Sequence, residues 1–274
     1  MKKSHKRKKM TFKKIKAKKL MNARDLGGIE TVDGKTIIPN KLIRSARPYK
    51  LPKKTAKKLR ELGVTTIVDL RTGAELNGNP PCNIEGTTRL WLPIVTTASD
   101  HINDERTSRL TLLRESKRFK KEFNSKEEYM IATYRSIVFS KEPQECLRSF
   151  LRLAVENDGC LMWHCASGKD RTGICSMLLE SLLGVPEEII YKDYLASKKG
   201  LFKKTFARRM GIILAPMSFR FKSILLGFSG LKKIYLQTII EDMKARFGSV
   251  VEYCKQILGI TDNDITTLKA KYLT

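Results

Sequence analysis

A chain of 274 residues with 41% hydrophobic and 8% aromatic residues holds enough apolar material for a sizeable core, which excludes a wholly disordered protein. Its 54 Lys and Arg against 28 Asp and Glu give a net charge of +26, a field that attracts phosphorylated substrates, acidic membrane or nucleic acid. No stretch reaches the ~18 apolar residues of a spanning helix, no apolar run follows the basic start as in a secretory signal, and six scattered cysteines form neither CxxC pairs nor a disulfide framework, so the expectation is a cytoplasmic protein with free thiols and no metal.

Residues 1 to 19 carry 11 Lys or Arg and no acid, cannot bury an apolar face, and are expected to form a disordered basic arm outside a domain spanning 20 to 274. Asp33-Gly34 between short apolar runs predicts a hairpin turn. From Pro52 to Leu62 the apolar positions have helical spacing, Gly63 stops that helix, and the β-branched run Val64 to Val68 predicts a buried strand. Another strand is expected over 88–94, a polar loop over 96–106, and mainly helix over 107–157 with a stop or bend near Pro143. Gly159 to His164 reads as a short strand, and Thr172 to Leu183 as a helix closed by Gly184 and Pro186. Residues 194 to 240 contain ten Lys or Arg and no acid, mixed with apolar clusters, a candidate basic lid or surface-binding segment. Amphipathic helices are expected over 234–258 and 262–273.

Chemistry can be argued for the loop that joins the strand at His164 to the following helix, His164-Cys165-Ala166-Ser167-Gly168-Lys169-Asp170-Arg171-Thr172-Gly173. A strand-to-helix loop points backbone N–H groups into a concavity, and the helix dipole adds partial positive charge, so Ala166, Ser167, Gly168, Lys169, Arg171 and Thr172 are expected to cradle a phosphate. Cys165 opens this loop, where the N–H groups and the Arg171 guanidinium favour the thiolate, an attacking nucleophile. Arg171 offers a planar fork for two phosphoryl oxygens, Gly168 lets the loop close tightly, and the Thr172 hydroxyl is placed to donate to the thiolate. His164 orients the loop rather than attacking. The spacing alone is a weak signal, because Cys146 and Arg152 share it, but CLRSFLR lacks glycine and lies in a helical pattern.

The segments NARDLGG (22–28), LIRSARPY (42–49), VDLRTGAE (68–75), HCASGKDRTG (164–173) and FGSVVEYCKQILGIT (247–261) resemble, in order, the bacterial tyrosine phosphatase family typified by mycobacterial protein tyrosine phosphatase B. The resemblance implies an α/β cysteine-dependent phosphatase fold, a central mixed sheet flanked by helices, and no cofactor. It also implies activity on phosphotyrosine, sometimes phosphoserine or phosphothreonine, and on phosphoinositides, with Cys165, Lys169, Asp170 and Arg171 at the family's nucleophile and phosphate-loop positions. The loop after Leu92-Pro93-Ile94 does not present an acid where many dual-specificity phosphatases do, reaching Asp100 and Asp104 only later. The general acid is therefore Asp170, in a KDRT pattern similar to lipid-active relatives, or one of those two, and Asp170 could equally be a structural ion pair.

Arg24, Asp25, Arg44, Asp69 and Arg71 are expected to buttress the site rather than react. Cys160 or Cys82 could trap Cys165 as a disulfide, though a buried cysteine usually behaves as a small apolar residue, and His5 and His101 have no metal-site spacing. The expected function is a phosphomonoesterase acting on phosphoprotein or phosphoinositide, with the basic arm able to hold it at an anionic membrane surface and nucleic acid the weaker partner. The rival readings are an inositol-polyphosphate phosphatase, an RNA 5′-triphosphatase, and a binding module in which the loop only holds phosphate.

Overall fold

Six strands form one mixed sheet in the order β1-β2-β3-β6-β4-β5, in a computed structural model that describes residues 12–77, 79–95, 123–201, 210 and 230–274. The strands are β1 (Lys13–Lys14), β2 (Arg24–Asp25), β3 (Leu42–Ala46), β4 (Val64–Asp69), β5 (Thr88–Trp91) and β6 (Cys160–Cys165). The four from β3 to β5 in that order are parallel, and β2 and β1 extend the sheet antiparallel from β3. A central parallel strand is covered on both faces and so needs no polar alternation, which is why all of β6, CLMWHC, is buried. Alternate side chains of β6 still go to opposite faces: Leu161, Trp163 and Cys165 join the large core, Cys160 and Met162 the small one.

The helices are α1 (Lys53–Glu61), α2 (Gly73–Asn77), α3 (Lys126–Phe139), α4 (Lys141–Glu156), α5 (Asp170–Leu182), α6 (Glu187–Gly200), α7 (Lys233–Phe247), α8 (Val250–Gln256) and α9 (Asp262–Tyr272). The large core draws its side chains from α3 to α9, whereas the small core is closed by α1 through Leu59 and by Ile15 and Leu20 of the N-terminal segment. Helix α5 is buried all round from Arg171 to Glu180, the mark of a helix packed inside its domain. Its N-terminus follows directly from the end of β6, and the two elements fix the loop between them.

Several expectations from the sequence are corrected here. Residues 12–19 are not part of a free arm: Lys13 and Lys14 pair with Asp25 and Arg24, Ile15 is buried, and the Lys16 and Lys18 carbonyls accept hydrogen bonds from Lys58 Nζ and Thr55 Oγ1. Ile15, with Phe12 and Ala17 packed against the cores, and the backbone ladder anchor a segment whose other five side chains are lysines; residues 1–11 lie outside the described residues. The expected lid of 194–240 begins and ends inside α6 and α7, where Tyr194, Ser197, Tyr235 and Leu236 are buried, while residues 202–209 and 211–229 lie outside the described residues. By contrast, the stop expected near Pro143 in the mainly helical stretch 107–157 is present: two helices part at Ser140, with Pro143 in the first turn of α4, where its missing N–H costs nothing; residues 107–122 are not among those described. The helix expected over 234–258 is likewise broken, because Gly248 at φ 88° ends α7 and the Ser249 side chain caps α8. The hairpin at Asp33-Gly34 is a turn closed by a single bridge between Glu30 and Thr36. Among the described residues no helix is long and apolar enough to cross a membrane.

Candidate active site

The loop from Cys165 to Arg171 is shaped from behind by its carbonyls. The Ala166 carbonyl accepts from Arg47 N at 3.4 Å, and that of Ser167 accepts from Asn22 Nδ2 at 3.2 Å. The Gly168 carbonyl accepts from Asn22 Nδ2 at 2.7 Å and from Arg44 Nη2 at 3.3 Å, and Lys169 O accepts from Gly173 N at 3.0 Å. Four successive carbonyls are thus hydrogen-bonded, three to other parts of the scaffold and one within the following helix, while the N–H groups of Ala166 to Arg171 meet no acceptor among the described residues and are left for a ligand. Successive backbone N–H groups without an acceptor among the described residues, at the start of a 13-residue helix, suit an anion.

Gly168 makes this turn possible. It has φ +64°, and a Cβ there would lie 2.2 Å from the Ser45 carbonyl oxygen on the adjacent strand. Gly168→Ala is therefore expected to abolish phosphate release and to destabilise the protein by roughly 1 to 3 kcal/mol, the usual range for a strained backbone position; activity and thermal unfolding of the purified variant check it. A fully active Gly168→Ala protein would mean that the loop has another shape in solution.

Helix α5 begins at Asp170, two residues before the start expected from the sequence, which places Asp170 and Arg171 in its first turn. Arg171 is buried and held as a fork by Glu75 of α2, Nη1 to Oε2 and Nη2 to Oε1 both at 2.6 Å, with Leu70 O at 3.2 Å as a further acceptor. Burial opposes the charge on Arg171, but the Glu75 carboxylate outweighs it and raises its pKa above the ordinary arginine range. Burial would likewise raise the Glu75 pKa, and Arg171 instead holds it low. A fork fixed this way keeps its geometry before a ligand arrives, and its Nε meets no acceptor among the described residues. Glu75 was not singled out in the sequence; the Thr72-x-x-Glu75 capping box, with Thr72 N donating to Oε2 at 2.9 Å, was its available signal.

Cys165 is buried at the end of β6. Burial pushes the thiol of Cys160 up to about 12 and those of Cys146, Cys175 and Cys254 upward as well, so these four stay protonated. Cys160 lies on the opposite face of β6, five residues away, buried in the small core as a small apolar residue and not as a partner for Cys165; Cys82 is free and half-buried. The Thr172 hydroxyl is buried without a hydrogen-bond partner among the described residues, an arrangement that leaves its proton for a group that arrives or ionises nearby.

Asp170 receives two donors, Tyr134 OH to Oδ1 at 2.5 Å and Lys169 Nζ at 3.4 Å from Oδ2. Tyr134, from α3, also meets the hydroxyl of Tyr194, from α6, at 2.6 Å. Burial first and the Asp170 charge second keep Tyr134 a neutral phenol. These two tyrosines were not identified from the sequence, since nothing local to either marks a contact made across 36 and 60 residues. Asp100 and Asp104 lie outside the described residues.

The remaining candidates separate into those behind the loop and those away from it. Arg24 and Arg44 lie behind it and share Asp193 of α6, with Arg24 Nε at 2.6 Å and Arg44 Nη1 in close contact. Asp69 and Arg71 pair with each other, Nη2 to Oδ2 at 2.7 Å, and Arg89 adds a contact at 2.8 Å; Arg71 faces Asp69 and the Asn79 carbonyl, tying down the chain after β4. His164 is buried beside Asp69 with its Nδ1 3.4 Å from the Cys165 carbonyl, and burial lowers its pKa to about 4, so it is neutral at pH 7. Asp25 is corrected: it points to the face opposite Arg24, where it accepts from Gly27 N and Asn40 N, both at 2.9 Å, and does not touch the loop.

A model of the tyrosine phosphatase family matches residues 15–274. A protein of Cupriavidus necator named as a tyrosine-protein phosphatase is 27% identical over 257 residues, covering 93% of this chain and 86% of that one. The triple specificity protein phosphatase PtpB of Mycobacterium tuberculosis is 25% identical over 271 residues, covering 92% and 96% respectively. A tyrosine-protein phosphatase of Nostoc commune is 48% identical over 48 residues, 18% of this chain and 16% of its own.

Proposed function

We propose, for a chain that belongs to the tyrosine phosphatase family, that it hydrolyses phosphomonoesters through a cysteinyl-phosphate intermediate formed on Cys165. The observation that carries this is the row of N–H groups from Ala166 to Arg171, without an acceptor among the described residues while the loop carbonyls are tied behind it, with Cys165 at one end and the Glu75-held Arg171 fork at the other. The Cys165 thiolate attacks phosphorus, an S–P bond forms, and the P–O bond to the leaving group breaks. The leaving oxygen takes a proton from Asp170. Water then attacks the same phosphorus, Asp170 takes a proton back, the S–P bond breaks, and inorganic phosphate leaves with the thiolate restored. The N–H groups and Arg171 stabilise the equatorial oxygens in both steps, and Thr172 donates to the thiolate as it departs.

The substrates are phosphotyrosine protein and phosphoinositide. PtpB of Mycobacterium tuberculosis is named for triple specificity, and a net charge of +26 with Lys169 at the loop favours a substrate bearing more than one negative group. The N-terminal segment supports an anionic membrane as a further partner: Lys16 and Lys18 lie against α1, whose Lys53, Lys54 and Lys57 are exposed. Inositol polyphosphate and triphosphate RNA meet the same charge without the membrane, and a binding module would hold phosphate without releasing it. One panel separates these readings: phosphate release from a phosphotyrosine peptide, phosphoinositide in anionic vesicles, soluble inositol phosphate and triphosphate RNA, with Cys165→Ser as the blank. Release from the first two above the last two is the expected result, and release from none of them leaves the binding module.

A further inference from the structure

Behind the loop lies a buried polar cluster whose central carboxylate, Asp193, has been given no role. Two arginines from adjacent strands, Arg24 and Arg44, converge on one carboxylate, Asp193, from the middle of α6, and all three are buried. Arg24 also donates from Nη2 to the Asp193 carbonyl at 2.8 Å and to Ser197 Oγ at 3.1 Å, and from Nη1 to Asn22 Oδ1 at 2.8 Å. Asn22 passes the constraint on through Nδ2, which reaches the carbonyls of Ser167 and Gly168, and Arg44 reaches the Gly168 carbonyl directly. Asn22 has φ +53°, a left-handed conformation that Asn tolerates better than most residues and that aims its amide at the loop. At the end of α6, a Cβ on Gly200 would come within 2.4 Å of Asn22 Oδ1. Asp193, Ser197 and Gly200 are spaced i, i+4, i+7, so one face of α6 seats the whole relay.

We propose that Asp193 is a positioning residue that sets the shape of the phosphate-binding loop, by one arm through Arg44 to Gly168 and by a second through Arg24 and Asn22 to Ser167 and Gly168. Asp193 is the anion that both guanidiniums share. Glu180, fully buried in the same region, has neither carboxyl oxygen hydrogen-bonded among the described residues, and burial first, then the Asp193 charge, push its pKa upward. Burial and the neighbouring Arg44 both lower the Arg24 pKa, and Asp193 opposes them. Two guanidiniums thus share one ion-paired carboxylate immediately behind a loop suited to an anion.

The inference rests on the reading of the loop as a phosphate site, and its test reads binding rather than turnover. Calorimetric affinity for inorganic phosphate is measured on the full chain and on Asp193→Asn, Asn22→Ala, Gly200→Ala and the double variant Asp193→Asn/Asn22→Ala, each below its own unfolding temperature. Asp193→Asn and Asn22→Ala are each expected to weaken phosphate by about 10- to 100-fold, the range seen when the support of a ligand-holding group is removed. Gly200→Ala, which leaves every ion pair in place and only crowds Asn22, is expected to weaken it in the same direction. The double variant is expected to be no weaker than the poorer single, because both substitutions interrupt one relay. Unchanged phosphate affinity in folded Asp193→Asn, or effects that simply multiply in the double variant, would overturn the proposal. Should Asp193→Asn fail to fold, unchanged affinity in both Asn22→Ala and Gly200→Ala overturns it. Failure of the unaltered chain to bind phosphate overturns the reading of the site itself, whereas tight binding without turnover overturns only the catalytic reading.

Discussion

Cys165→Ser is expected to leave no measurable turnover, a fall on the order of 10⁶ for loss of a catalytic nucleophile, while phosphate still binds. The substitution changes one atom and leaves the wall of the site untouched, because the loop is held by Asn22, Arg44, Arg47 and Gly173 acting on its carbonyls and not by the cysteine. A serine hydroxyl would need a base to remove its proton, and the nearby histidine, His164, has its Nδ1 on the Cys165 carbonyl and its ring beside Asp69, fixed on the far face of β6. The direct check is to quench the unaltered enzyme during turnover of labelled substrate and map the phosphorylated peptide. Label on Cys165 is expected. Burial keeps Cys146, Cys160, Cys175 and Cys254 protonated, so label on any of them, or on the hydroxyl of Ser167 or Thr172, would overturn the assignment of the nucleophile.

The parts of the fold that were legible in the sequence are those in which one local signal decided the outcome. Gly63 ended a helix and a β-branched run began a strand, and α1 and β4 fall where these put them. The strand–loop–helix unit proposed to bind phosphate was legible because strand, glycine and helix are contiguous and lie within a short stretch. Missed were the contacts that depend on tertiary partners. Two buried arginines in short strands demand a carboxylate, yet nothing in the sequence said that it would come from position 193, in a helix hidden by a change of composition that drew attention to the charge after Asp193 rather than to the periodicity through it. Glu75 was visible only as a capping residue, and its second task, holding Arg171, exists only once α2 and α5 are brought together at the ends of β4 and β6. The basic arm was drawn too long for a similar reason: composition averaged over 19 residues outweighed Ile15, whose burial joins the last few of them to the small core.

Asp170→Asn is expected to slow hydrolysis of alkyl and inositol phosphates by about 10² to 10⁴ while sparing activated aryl phosphates, whose leaving groups scarcely need a proton. Asparagine keeps the shape and can still accept from Tyr134, so the loop and the Tyr134–Tyr194 contact survive the change and only the exchangeable proton is lost. In the resting arrangement both carboxyl oxygens face donors, Tyr134 OH and Lys169 Nζ, which hold in place the carboxylate that would take a proton from water in the second step. To serve the first step Asp170 must carry a proton, and the neutral tyrosine pair permits this: a protonated Asp170 can donate to the Tyr134 oxygen while Tyr134 turns its own proton to Tyr194. Tyr134→Phe removes that alternative acceptor and is expected to reduce the same poor substrates selectively, by less than Asp170→Asn does. Rates on a series of esters of graded leaving-group pKa separate the outcomes. If Asp170→Asn slows every member of the series equally while Asp100→Asn or Asp104→Asn gives the graded pattern, then Asp170 is a brace between Lys169 and Tyr134, and the proton comes from the chain that follows Ile94.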